Sequence, residues 1–267
     1  MIFDSEKIKN LIKTYANQNQ TIVPSAVFLA RSEKCSKERE YLEELISYVP
    51  TDKQKYWLDN ISSENEISHL SSWFEMMLYG WLRQIGTVEV EPEVNGKRPD
   101  FCVTIQGNRI FFEAKVRIET KASSKKISVI RDNRSVPKSF ARFLDPEELK
   151  SMLTEKIKQH KGIHKLGHAY VICVFASIWM TTDVVKEAIF GRECGILNKD
   201  YTEIIDVCLD KSGLFSEDND LSKTVTAFLI FESRWDKIKE RRIIRADIIH
   251  NPLAEVQIDS TTFNIEY

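Results

Sequence analysis

Apolar residues recur at every second position in two short stretches of the chain, separated by a turn that contains a glycine. Phe101, Val103 and Ile105 alternate with Asp100, Cys102 and Thr104; Ile110, Phe112, Ala114 and Val116 alternate with Arg109, Phe111, Glu113 and Lys115. A period of two marks a half-buried strand, and Gly107-Asn108 between the runs offers the positive φ of a two-residue hairpin turn. Pairing Gln106 with Arg109 sets Phe101 opposite Ala114, Val103 opposite Phe112 and Ile105 opposite Ile110, a wholly apolar face. The other face then carries Asp100 opposite Lys115 and Cys102 opposite Glu113. A three-residue loop would set apolar against polar side chains across the sheet, which register disfavours. Asp100, Glu113 and Lys115 should therefore converge, since opposed and diagonal Cβ atoms lie roughly 5 to 8 Å apart.

The pattern before the hairpin is helical. From Ser68 to Ile85, Leu70, Phe74, Met77, Leu78, Trp81, Leu82 and Ile85 recur at helical spacing, and Gly86 supplies a stop. At about 100° per residue, Glu75 falls on the flank of this stripe beside Ser71, Leu78 and Leu82. A carboxylate turned toward a core needs a partner or a cation. Residues 5 to 17 and about 25 to 48 also read as helices, with 51 to 67 a polar connection. After the hairpin, Asp145-Pro146-Glu147-Glu148 is a helix start, with Asp as N-cap, Pro in the first position and acids in the first turn. That helix runs to about Lys161 and buries Leu149, Met152, Leu153 and Ile157. Ala169 to Ala176 is continuously apolar, as expected of a central strand covered on both faces. A helix near 183 to 190 and a buried strand from Val225 to Phe231 follow.

With 267 residues, 42% of them hydrophobic, the chain can bury a large core. Its five cysteines are scattered and never in a Cys-x-x-Cys pair, against a disulfide scaffold or zinc ribbon and for a reducing compartment. The stretch MIFDSEKIKNLIK lacks the apolar core of a signal peptide and no run reaches transmembrane length. The expectation is a cytoplasmic protein without a membrane partner. A net charge of −2 implies no polyanionic partner by itself. Locally, residues 115 to 142 hold nine cations (Lys115, Arg117, Lys121, Lys125, Lys126, Arg131, Arg134, Lys138 and Arg142) against Glu119 and Asp132, a charge of +7. Such clusters bind phosphate backbones by neutralisation and counterion release. A second cluster, Lys237, Lys239, Arg241, Arg242 and Arg245, is interleaved with Asp236, Glu240 and Asp247 and reads as a solvated helix face.

Pro99-Asp100, a hairpin, then Glu113-Ala114-Lys115, preceded by an amphipathic helix carrying Glu75, resembles the PD-(D/E)XK nuclease superfamily. The resemblance covers residues 70 to 116 and, less closely, 145 to 176. It implies an α/β, restriction-endonuclease-like fold: a central mixed sheet flanked by helices, with the site at one sheet edge. Residues 1–66 would form a helical N-terminal extension and 67–267 the nuclease-like domain. In the resembling family's manner, Asp100, Glu113 and the carbonyl of Ala114 would hold Mg²⁺ (or Mn²⁺) through oxygen ligands, and Glu75 would point into the site toward a second cation. Lys115 would orient the attacking water, kept protonated by its carboxylate neighbours. Lys156 and Gln159, on the helix after the hairpin, match the polar residues that the family places near the substrate backbone. The implied activity is metal-dependent hydrolysis of phosphodiester bonds, in DNA rather than RNA, by an endonuclease of defence or repair, with a homodimer plausible.

Two other readings stay open: a nucleic-acid-binding protein that keeps the fold without catalysis, and an ordinary α/β domain in which Asp100 and Lys115 are a cross-strand ion pair. His160, His164 and His168 recur every fourth residue, as zinc ligands on a helix would. Gly162 and Gly167 interrupt that segment, and histidines near a helix C-terminus are favoured by its dipole, so the structural reading is preferred. A Gly-rich phosphate loop, a Gly-x-Ser-x-Gly elbow and a His-Glu-x-x-His motif are missing from the sequence.

Overall fold

The computed structural model describes residues 2–3, 5–17, 24–116, 146–176, 182–197, 204–210, 212–217, 219–259 and 261–263. Its hairpin joins β2 (Phe101–Ile105) to β3 (Asn108–Val116). The turn residues are Gln106 and Gly107, with φ of +49° and +84°, the two left-handed positions of a type I′ turn. The expected turn, Gly107-Asn108, is thus displaced by one residue and the register by two. Phe101 faces Phe112 and Val103 faces Ile110, while Cys102 faces Phe111 rather than Glu113. A shift of two leaves every side chain on its expected face, which is why the error does not reach the core.

Six strands form one mixed sheet in the order β1-β2-β3-β4-β7-β8, where β1 is Thr87–Val90, β4 Ala169–Ala176, β7 Ala227–Asp236 and β8 Arg241–His250. β1, β2 and β3 are antiparallel; β3, β4 and β7 are parallel; β8 returns antiparallel. A separate two-stranded ribbon pairs β5 (Glu193–Leu197) with β6 (Ile204–Leu209). The candidate strands β2 and β3 are interior, so the site lies at the ends of central strands and not on an edge strand.

Helices cover both faces. One face meets α5 (Glu66–Leu82), whose Trp73, Phe74, Met77 and Trp81 pack with Phe101, Phe112, Phe175 and Phe231. Asn65 caps this helix through the N–H groups of Ile67 and Ser68, and it ends three residues before the expected Ile85. The other face meets α6 (Pro146–Gln159) and α7 (Thr182–Phe190), with Leu149, Leu153, Ile157 and Val185 on Phe111, Tyr170 and Phe228.

The N-terminal region contains α1 (Glu6–Thr14), α2 (Ser25–Arg31), α3 (Ser36–Ser47) and α4 (Thr51–Ile61). The single helix expected over 25 to 48 is broken by a turn of 3₁₀ helix at Glu33–Cys35, and the expected polar connection is α4. Leu42, Leu45, Trp57 and Ile61 from these helices lie in the same core cluster as α5 and the sheet. The basic segment around 237 to 245 is the β7–β8 hairpin, not a helix. Among the described residues, no helix is long and apolar enough to cross a membrane.

Candidate active site

Strand β3 outruns β2, and Asp100 stands one residue before β2 at the same end of the sheet. This is also the C-terminal end of the parallel strands β3 and β4, where open α/β sheets leave crevices. A cavity of about 230 Å³ opens there, lined by Tyr56, Ser71, Glu75, Asp100, Lys115 and Lys156, with Ala114 and Val116 in its wall. A smaller cavity of about 100 Å³ shares Tyr56, Glu75 and Asp100. The structure therefore gathers α4, α5, the β2–β3 hairpin and α6 around the residues that the sequence marks.

Each carboxylate is held differently. Asp100 Oδ2 accepts the Ala114 N–H at 2.7 Å. Glu75 Oε2 accepts the Trp57 indole N–H at 2.9 Å. Glu113 is 1% exposed and pairs with the Lys156 ammonium. His160 Nε2 stands 3.0 Å from Glu113 Oε2, but without hydrogen-bond alignment, so that buried oxygen has no aligned donor among the described residues.

Burial, then the charges of Glu113 and Glu75, holds the Asp100 carboxyl well above its ordinary range. Burial and the charge of Glu113 push Glu75 up to about 7, against the Trp57 hydrogen bond. At Glu113 burial acts upward too, but His160 and Lys156 outweigh it and the net shift is downward. The two lysines divide in the same way. Burial and the Lys156 charge lower Lys115, while Glu113 and Asp100 act upward on it as expected. Lys156 is raised, because Glu113 outweighs burial. The ammonium that compensates the carboxylates is thus Lys156, four residues before His160 and on the same face of its helical turn.

The donor chemistry fits a hard cation: carboxylate oxygens and a main-chain carbonyl, with one buried carboxylate oxygen lacking an aligned donor and two carboxyls shifted toward their neutral forms by burial and then by neighbouring carboxylates. Among the described residues, no three His, Cys, Asp or Glu side chains are close enough together to enclose a metal; Lys156 stands on Glu113 instead. A prediction follows for protein kept in chelator. Glu75 is raised from an ordinary 4.5 to about 7, so its ionisation is disfavoured in the folded state. Its contribution is intact below 4.5 and is lost as pH rises through 7, and the shift of Asp100 acts with the same sign. The melting temperature in EDTA should be lower at pH 8 than at pH 5.5, and Glu75→Gln should flatten that drop. An equal drop in the variant would place its cause elsewhere.

Other expected site residues are dispersed. Gln159 is exposed and does not line the cavity. Lys121, Lys125, Lys126, Arg131, Arg134 and Lys138 lie outside the described residues. The three histidines do not share a helix face: His160 lies against Tyr170, with ring centroids 5.5 Å apart, His164 is 3.6 Å from Glu255 and His168 packs on Phe111. The sequence did not single out Tyr56, Trp57 or His160 for the site. Trp57 and Ile61, four apart with Leu58 between them on a mostly polar segment, were the available signal for α4.

No family model matches the chain, and neither a curated protein nor a solved structure was found to be similar to it.

Proposed function

We propose that this cavity is the active site of a metal-dependent nuclease of the PD-(D/E)XK kind, acting on DNA. The observation that carries the reading is the meeting of Asp100, Glu75, Ala114 and Lys115 on one cavity, with the Glu113 carboxylate buried behind it. Alternation sets Asp100, Glu113 and Lys115 on one face, the resemblance brings Glu75 and the Ala114 carbonyl to the same place, and the mixed sheet flanked by helices agrees with the resemblance. Asp100, Glu113 and the Ala114 carbonyl are the groups that would hold Mg²⁺ or Mn²⁺, with Glu75 available to a second ion. A bound cation supplies a water of lowered pKa and offsets charge developing on the phosphorane. Lys115, with its proton less tightly held, positions the attacking water or donates to the phosphoryl oxygen. Lys156 positions Glu113, and Trp57 fixes the rotamer of Glu75.

The pairing of Lys156 with Glu113 also favours a second reading, a nucleic-acid-binding protein on the same fold whose carboxylates are neutralised internally. Titrating the wild type and Glu113→Gln with Mg²⁺ and Mn²⁺ against plasmid, linear and single-stranded DNA separates the two. Metal-dependent cleavage by the wild type alone supports the nuclease. Metal binding by calorimetry that is lost in Glu113→Gln, without cleavage, means an intact cation site awaiting its partner or target, whereas DNA binding with neither metal binding nor cleavage supports the silent site. The absence of all three signals leaves a structural ion-pair cluster.

A further inference from the structure

A second cleft, of about 320 Å³, lies between α3, the C-terminal end of α5 and the β7–β8 hairpin, and its wall includes Tyr41, Glu44, Gly80, Arg83, Lys239 and Arg241. None of its lining residues belongs to the candidate active site. The Arg241 guanidinium lies 3.4 Å from the centre of the Tyr41 ring, and that of Arg83 lies 3.5 Å from the centre of the Tyr48 ring. Gly80 makes room for this arrangement, because a Cβ there would collide with the Tyr41 hydroxyl. Stacked guanidiniums lose little further freedom when they bind a planar or tetrahedral oxyanion. Among the described residues, no carboxylate lies within ion-pair distance of Arg83, Lys239 or Arg241. Two acids lie near: Glu44, in the cleft wall, accepts from the Tyr48 hydroxyl, and Asp236 accepts the N–H groups of Ile238 and Lys239 and feels the charges of Lys239 and Arg241, while Glu240 is exposed. Lys237 carries the positive charge outward along the same exposed loop. Three cations without carboxylate partners, two of them held flat by tyrosines, spread over two elements of an open cleft. A single small anion would use only part of that; phosphates repeated along a strand would use all of it.

We propose that the Arg83–Lys239–Arg241 cleft binds successive backbone phosphates of a nucleic-acid strand, as an anchoring site apart from the candidate active site. Binding of a fluorescent duplex oligonucleotide to the full chain, measured by anisotropy in EDTA over a series of salt concentrations, tests it without reference to cleavage. The Arg83→Gln/Arg241→Gln double variant should bind roughly tenfold more weakly, and the slope of log K against log salt should fall by about 2. Lys239→Gln, at an exposed loop position, should lower the slope by about 1 and removes doubt about folding. Arg83→Lys/Arg241→Lys should recover only part of the affinity, since it restores charge but not the stacked fork. Unchanged affinity and slope in folded variants would overturn the proposal. So would loss of binding to inorganic pyrophosphate alone, which would make the cleft a small-anion site.

Discussion

Asp100→Asn is expected to lower metal-dependent cleavage by about 10²- to 10³-fold, the scale on which preorganised charge stabilisation is lost, while the melting temperature in chelator stays level or rises. The two halves of this result have one cause. Asp100 is a buried carboxylate among other carboxylates, raised by burial and by Glu113 and Glu75. Asparagine keeps an oxygen able to accept the Ala114 N–H but removes the buried charge that Glu113 and Glu75 repel, and deletes a proposed cation ligand. Stability and activity therefore move apart, as they do where a site stores unfavourable charge for function. Lys115→Ala should give the same loss of activity with the fold intact. Cleavage at wild-type rates in both variants would remove these residues from the chemistry.

What was legible in the sequence was mostly a matter of faces, and what was not was a matter of turns and partners. Alternation assigned Phe101, Val103 and Phe112 to the α5 side, and the slip of two residues could not disturb that. The true register depended on Gln106 accepting a left-handed φ, which its side chain does not advertise. Glu75 could be placed by helical angle because its stripe is strongly apolar. Tyr56 and Trp57 could not, because α4 buries only Trp57 and Ile61 beneath a polar surface. Lys156 was found by its position after the hairpin, but its pairing with Glu113 depends on how α6 docks. The cluster 237 to 245 was misread because alternating charge is compatible with a helix or a hairpin, and the turn at 237–240 contains no glycine or proline. Its Glu240 instead takes a φ of +47°.

The largest effect on stability should come from a residue that no motif marks. Glu38 on α3 is 0% exposed. Its carboxylate accepts the Trp73 indole N–H at 2.8 Å and holds Arg242 of β8 through Nε at 2.9 Å and Nη2 at 2.6 Å. One side chain thus ties α3 to α5 and to β8. Glu38→Ala would leave an arginine and an indole N–H without their acceptor, at a cost of about 3–5 kcal/mol. Denaturant titration should show this as a lower midpoint with an unchanged slope. Replacing the pair together, Glu38→Leu with Arg242→Met, should recover only part of the loss, because an apolar pair avoids the desolvation that an ion pair must overcome but leaves the buried Trp73 N–H without its acceptor. If the single variant cost no more than an ordinary surface change, the cluster would not be holding these elements together. If it costs as expected, oligonucleotide binding should weaken with it, since Tyr41, Gly80 and Arg241 ride on the three elements that Glu38 joins.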